Sequence, residues 1–290
     1  MKFSIVIPTY NRSETLRQTL IAVTRQDYAE CEVLVVDDGS TDGTAEIVAR
    51  EFPAVRLIRQ SNRGPAAARN AGVRAAVGDI IAFTDDDCLP PLDWLTRLAE
   101  GYARYPQVAG VGGYLEAPEY VLRDSILAQY ERSIGRDEYG ARDAEVLAGF
   151  ACPAGGTNNM SYCRDVLEQV GGFDETFPYA AGEDADLKWR ICQTGAQLLY
   201  LPIKVVHLQV YSLTSFRRQA YMRGKGRVCF DAKHGPHPTR LRASLRLMRR
   251  LLHFPFDLLS AQRRPYAPVG ALEGWLQFRG EWDMLASKRR

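Results

Sequence analysis

The sequence predicts an α/β protein, with a mostly parallel mixed sheet flanked by helices and a basic helical extension at its C-terminal end. Three observations carry this. Over the first hundred residues, short β-branched runs alternate with helix-like segments, the pattern of a parallel sheet covered on both faces. Polar clusters follow several of those runs, where sheets of this kind bind ligands. The charge is also divided. Residues 217–290 hold 17 Lys and Arg against 5 Asp and Glu, a net of +12, and residues 1–216 hold 20 against 30, a net of −10, within an overall +2.

"FSIVIP" (3–8) reads as a buried strand and "SETLRQTLIAVTRQ" (13–26) as a helix with Ser13 as its N-cap. "EVLVVDD" (32–38) is a second strand, "TDGTAEIVAREF" (41–52) a second helix and "VRLIRQ" (55–60) a third strand. "GPAAARNAGVRAAV" (64–77) is Ala-rich and helical despite Gly72, and "DIIAFTD" (79–85) is the fourth strand. "PLDWLTRLAEGYARY" (91–105) is a helix with proline near its first turn, and "VAGVGGYLEA" (108–117) a strand. The alternation then weakens. Residues 119–150 hold a helix-like stretch and a polar loop, and residues 155–177 are turn-rich. "GEDADLKWRICQTG" (182–195) is a helix ended by Gly195. "QLLYLP" (197–202) and "KVVHLQ" (204–209) read as two closing strands, and from residue 214 the chain is helical and basic.

Composition bounds the rest. A chain of 290 residues, 46% hydrophobic and 25% charged, can bury a large core. The apolar run before Pro8 has five residues, too short for a secretory or spanning segment, and no stretch reaches about 18 apolar residues. Residence on the cytoplasmic side is therefore expected. The six cysteines form no CxxC pair and no zinc spacing, so reduced, mostly buried thiols are expected. No nucleic-acid partner is expected.

The residues suited to chemistry fall where strands end. Thr9, Tyr10 and Asn11 follow the first strand, Asp37 and Asp38 close the second, and Asp85, Asp86 and Asp87 close the fourth. A hard divalent cation takes one or two carboxylates plus phosphate oxygens and waters. In an extended segment Asp85 and Asp87 point the same way. The tripeptide alone fits a solvated acidic turn equally well, and its place beside other polar strand ends favours a site. Asp37-Asp38-Gly39-Ser40 fits a turn with a helix N-cap, or acceptors for a nucleobase or ribose. Arg69, on the Ala-rich helix, suits a pyrophosphate or the acidic cluster itself. Glu183-Asp184 at a helix start is favoured by the helix dipole, and a carboxylate there also suits a general base. His207, in an apolar strand, fits a hydrogen-bonded core residue or a metal ligand.

Together "SIVIPTYNRSETLRQTLIAVTRQ", "EVLVVDDGSTDGT", "NRGPAAARNAG", "GDIIAFTDDDC", "GGTNNMSY", "GGFDET" and "GEDADLKWR" resemble, in order, the motifs of family 2 glycosyltransferases over about residues 3–210. The resemblance implies a type A glycosyltransferase fold, with a nucleotide-sugar-binding half (1–110) and an acceptor-binding half of the same domain (111–213); the basic helical extension (214–290) lies outside it. It implies that Pro8, Tyr10 and Asp38 surround the base and ribose and that Arg69 approaches the nucleotide. Asp85-x-Asp87 resembles a DxD element, with Asp87 the metal ligand and Asp85 nearer the ribose or a metal-bound water. Asp86 resembles a middle residue that touches the ribose. Asp184 matches the general base, with Glu183 its neighbour near the acceptor, and His207 a third metal ligand. The implied reaction is inverting transfer from a nucleotide-diphosphate sugar, with uridine the default nucleotide and thymidine and guanosine the alternatives, to an acceptor hydroxyl, assisted by Mg²⁺ or Mn²⁺; the leucine and arginine pattern of the tail suggests that this hydroxyl belongs to a glycan or lipid-linked acceptor.

Two other functions compete. A sugar-nucleotide pyrophosphorylase would place a Gly-rich loop after the first strand, and "PTYNRSET" has no glycine. A non-catalytic scaffold would bind nucleotide sugars without releasing the nucleotide. In the tail, residues 239–264 interleave leucines with arginines, which fits a helix lying in an anionic membrane interface, a dimerisation helix, or one packed on the acidic body. Pro255 is expected to break or kink it.

Overall fold

A computed structural model describes residues 1–138, 143–178, 180–260 and 263–287, with side chains from 135 to 138 excepted. The alternation is realised as β1 (Phe3–Thr9), α1 (Ser13–Val23), β2 (Cys31–Asp37), α2 (Thr44–Glu51), β3 (Arg56–Arg59), α3 (Pro65–Ala75) and β4 (Ile80–Phe83). After these come β5 (Cys88–Leu89), α4 (Trp94–Arg104), β6 (Val108–Glu116), α5 (Glu119–Asp124), α6 (Ile126–Glu138) and β7 (Val146–Ala148). Then follow β8 (Met160–Cys163), α7 (Arg164–Gln169), α8 (Glu183–Gln193) and β9 (Gln197–His207). The basic extension forms α9 (Leu213–His234), α10 (Arg240–Leu259) and α11 (Ala267–Ser287).

Strands β3, β2, β1 and β4 lie side by side and parallel. The sheet continues through β8, β6, β9 and β5, and β7 also pairs with β9. Here parallel and antiparallel pairs mix, because β8 runs against both β4 and β6. The core divides between the two sheet faces by the period of a strand. Phe3, Ile5 and Ile7 pack with Leu16, Leu20, Trp94 and Leu98 on one face, and Val6 packs with Ile81, Phe83, Tyr162 and Leu187 on the other. Gly72 is needed where α3 crosses β1, since a Cβ there would stand 2.3 Å from Val6 Cγ1.

Several expectations need correction. Ser13 is the first helical residue of α1 and Arg12 the N-cap; the Ser13 amide donates to Asp42 Oδ2 at 3.0 Å, so a neighbouring loop satisfies the helix end. Residues 197–209 form one strand to His207 rather than two. Pro202 lies where the β6–β9 ladder shifts register between Gly112 and Tyr114, so its missing N–H costs no regular ladder bond. The turn-rich segment 155–177 contains β8 and α7. Helix α10 continues through Pro255 to Leu259. The three aspartates do not extend β4, since the Cys88 amide donates to the Asp85 carbonyl and closes a turn. Gly195 ends α8 with φ 89°, in the left-handed region that favours glycine. Among the described residues no disulfide forms; Cys88 and Cys152 are buried and the other four cysteines half-buried.

The chain comprises two compact units. One is Met1–Pro118, Glu138–Thr176 and Asp184–Gln209, and the other Glu119–Asp137, Phe177–Glu183 and Val210–Arg290. The second is helical, with Tyr130, Phe216, Ala220 and Leu276 at its centre. Within it α9 and α11 approach closely, because a Cβ at Gly224 would stand 2.0 Å from the Gln277 carbonyl oxygen. No described helix is long and apolar enough to cross a membrane.

Candidate active site

The loops after β1, β2 and β4 open at one end of the parallel strands, and each is tied to the next by its own polar side chains. Asn11 has φ 52°, a left-handed conformation asparagine tolerates. Its amide donates to Ser40 Oγ at 2.9 Å and its Oδ1 accepts from the Thr41 amide at 2.7 Å. Pro8 is half-buried and Tyr10 exposed beside it. Asp37 accepts from the Ser40 amide at 2.8 Å and pairs with Arg59 at 3.2 Å. This is a turn without the helix cap, since Gly43 is the N-cap of α2. Asp38 is buried and accepts from Gln60 Nε2 and from the amides of Arg63 and Gly64, so it shapes the approach to α3.

The turn of aspartates sends its side chains to different partners. Asp86 and Asp87 share Arg12, whose Nη1 lies 3.2 Å from Asp86 Oδ1 and 2.6 Å from Asp87 Oδ2. Asp86 Oδ2 also accepts from Thr9 Oγ1 at 2.7 Å. Asp87 Oδ1 faces His207 Nε2 at 3.3 Å, because β5 pairs with the end of β9 and puts Cys88 opposite His207. Asp85 turns away to Arg69, Nη2 to Oδ1 3.0 Å. The two buried neighbours respond oppositely. Burial pushes the Asp86 carboxyl up to about 7, aided by Asp85 and Asp87 and opposed by Arg12 and Thr9. For Asp87 burial also pushes up, but the hydrogen bond and charge of His207, with Arg12, outweigh it and bring the group down to about 2.

Arg69, buried on α3, joins a second group. Its Nη1 lies 3.9 Å from Asp184 Oδ1 and its guanidinium carbon 5.7 Å from the centre of the Phe173 ring. Asp184 stands in the first turn of α8 and is held twice by Thr157, whose amide donates to Oδ2 at 3.2 Å and whose Oγ1 donates to Oδ1 at 3.0 Å. Burial raises the Asp184 carboxyl above its ordinary range, against Arg69 and Thr157, and the charge of Asp85 adds to the rise. Glu183 is buried.

Arg12 thus joins Asp86, which holds Thr9, to Asp87, which faces His207, and Asp85 and Asp184 flank the guanidinium of Arg69. Asp38, Asn11 and Tyr10 lie apart in the neighbouring loops. Asp85 does not join Asp87 and His207. Arg12 and Thr157 were missed, although both lie in motifs singled out from the sequence, "PTYNR" and "GGTNNMSY". Their signal is position beside the strand-end carboxylates rather than residue type.

The donor set fits a divalent cation through two of its three members. Ligand atoms of Asp87, Cys88 and His207 lie within 4.8 Å of one another. The carboxylate suits Mg²⁺ or Mn²⁺, and a neutral imidazole is a common second ligand for a divalent metal. Cys88 does not fit, since a soft sulfur is a poor ligand for these hard ions.

A parallel half-sheet continued by a mixed half, with carboxylates, an arginine and a histidine gathered past its strand ends, is a type A glycosyltransferase fold. The computed structure resembles a mannosyltransferase from Pyrobaculum calidifontis, solved with GDP-Man and Mn²⁺, with a TM-score of 0.60 over 99% of this chain and 75% of that one; at 22% identity the likeness is one of fold. Residues 4–167 match the model of Glycosyl transferase family 2, and the chain belongs to that family. It is 34% identical over 216 residues to the pre-mycofactocin glycosyltransferase of Mycobacterium tuberculosis, covering 70% of this chain and 42% of that protein. It is 29% identical over 216 residues to the glucosyl-dolichyl phosphate glucuronosyltransferase of Haloferax volcanii, covering 69% and 66%. The chain therefore spans less than half of the first relative and about two thirds of the second.

Proposed function

We propose that the protein transfers a glycosyl group, with inversion, from a nucleotide-diphosphate sugar to a hydroxyl of a glycan or lipid-linked acceptor. The observation that carries this is Arg69. Its two Nη atoms face Asp85 and Asp184, which keeps a diphosphate-binding region and a candidate base within one arginine of each other. Thr9, Tyr10, Asn11, Pro8 and Asp38 border the base and ribose, and Asp85 and Asp86 the sugar end of the nucleotide. Asp184, oriented by Thr157, accepts the proton of the incoming hydroxyl. Glu183, next to it, borders the acceptor.

Asp87 and His207 would hold the cation, Mg²⁺ or Mn²⁺. Bound there, the ion would neutralise charge on the departing diphosphate. The Mn²⁺ with which the Pyrobaculum mannosyltransferase was solved supports a divalent cofactor here. Uridine, thymidine and guanosine donors are all to be tried, and the GDP-Man of that complex supports the last of them. The C-terminal extension supports peripheral contact with the cytoplasmic face of a membrane, which suits a lipid-linked acceptor.

A panel of nucleotide sugars incubated with the purified chain and Mn²⁺ tests this by nucleotide-diphosphate release. One donor is expected to turn over, with chelator and Asp184→Asn each abolishing release. Turnover of Asp184→Asn near the wild-type rate would remove Asp184 as the base.

A further inference from the structure

Helix α10 turns two of its arginines inward. Arg246 reaches across to Glu281 of α11 at 2.6 Å, and Arg250 to Glu273 at 3.5 Å. Both glutamates are buried, and Glu273 also accepts from the Tyr130 hydroxyl at 2.6 Å. Ala243 is buried on the same side. The opposite side is apolar. Leu241, Leu245, Met248, Leu252, Phe256 and Leu259 recur at helical spacing over about 27 Å of axis, and each is between 48% and 84% exposed. Exposed Arg242 and Arg249 flank this stripe. The acidic residue of α10, Asp257, is half-buried and 3.5 Å from Arg263.

A stripe of this length is far more than scattered surface leucines and requires an occupant. The charges select between two. In a self-contact the same face meets itself, so the seam would bring Arg242 and Arg249 of both copies together with no carboxylate on the face to offset them. An anionic lipid surface meets the same residues favourably, with apolar side chains in the acyl boundary and arginines at the headgroups. We infer that α10 docks this face in the interface of an anionic bilayer, with Leu245, Leu252 and Phe256 as its central anchors. This gives the peripheral contact proposed above its residues and its lipid class, and it depends on no part of the transfer reaction.

Flotation of the full chain with vesicles tests it. Binding is expected to phosphatidylcholine vesicles containing phosphatidylglycerol, with at least roughly tenfold weaker binding to phosphatidylcholine alone. The variant L245S/L252S/F256S should lose binding by a similar factor while keeping its circular dichroism and any donor turnover. R242Q/R249Q should bind less and show a shallower salt dependence. Equal binding by the wild type and the serine variant, or no binding of the wild type to the anionic vesicles, overturns the inference. So does a lipid-free dimer, seen by sedimentation velocity, that the serine variant dissociates, since the face would then be a subunit interface. Donor turnover without vesicle binding would leave the enzymatic reading intact and sink only this one.

Discussion

At the residue scale the site is a problem of packing three carboxylates into a small, largely dry volume, and Arg12 offsets two of them. Its guanidinium holds the place of a cation between Asp86 and Asp87, and about half of its side chain is exposed, so it is free to leave. Arg12→Met should therefore tighten Mn²⁺ binding several-fold in the absence of nucleotide, by calorimetry. Unchanged or weaker binding would show that the guanidinium does not compete with the ion. The pH behaviour of Asp86 has a definite sign. With its carboxyl raised to about 7 from 3.8, the folded chain keeps a proton that the unfolded chain has already released. This contribution is fully present below pH 3.8 and is lost as pH rises to about 7, at up to about 1.4 kcal/mol per pH unit. Asp87, lowered to about 2, acts in reverse, stabilising above 3.8 and losing its contribution as pH falls towards 2. Urea unfolding without metal should show Asp86→Asn flattening the decline between roughly pH 4 and 7. With Asp184 as the proposed base, its raised carboxyl should move the acid limb of the pH–rate profile above the ordinary aspartate range. Thr157→Val, which removes one donor to it, should move that limb higher still, whereas Thr157→Ser should restore it.

At the scale of elements, what was legible in the sequence was whatever local pattern decides. Strands β1, β2 and β4 are β-branched runs buried on both faces, and the loops that follow them carry the polar residues expected there. Strand β8 was not legible. "MSYC" is short and set among Gly, Thr and Asn, and its strand state comes from antiparallel pairing with β4 and β6, partners far off in sequence. The same holds for the continuity of β9, which reads as two strands in the sequence and is joined across a register shift by its pairing with β6. Arg12 could not be told from a solvated surface arginine, because its role depends on a turn that β5 completes. Close packing of α3 on β1 was visible only as an odd glycine in a helix. Gly72→Ala would drive a Cβ into Val6 and should lower stability by about 1–3 kcal/mol. Because α3 also carries Arg69, donor affinity should fall with it, and thermal melts with and without nucleotide would separate the two losses.

At the scale of the whole molecule, the division of charge seen in the composition has a structural meaning within the helical unit. Part of the basic excess is used internally, with Arg223 and Arg250 on Glu273 and Arg246 on Glu281. Arg242 and Arg249 stay exposed. Hydropathy along α10 alone could not tell which arginines turn inward, since that depends on two glutamates of α11 that come later in the chain. Glu281→Gln should leave half-buried Arg246 with Asp231 as its remaining carboxylate and destabilise this unit by less than the roughly 3–5 kcal/mol that breaking a fully buried pair costs, which a lower melting temperature would show.

The pairing of β5 with the end of β9 has a bearing on folding as well as on the site. Asp87 and His207 approach only when the last strand of the sheet has added at its proper register, and a slip of one residue would turn the imidazole to the other face. An ion that needs both side chains is thus a gauge of completed assembly. Mn²⁺ added during refolding should register the arrival of β9, and a chain arrested before that step should be silent to it.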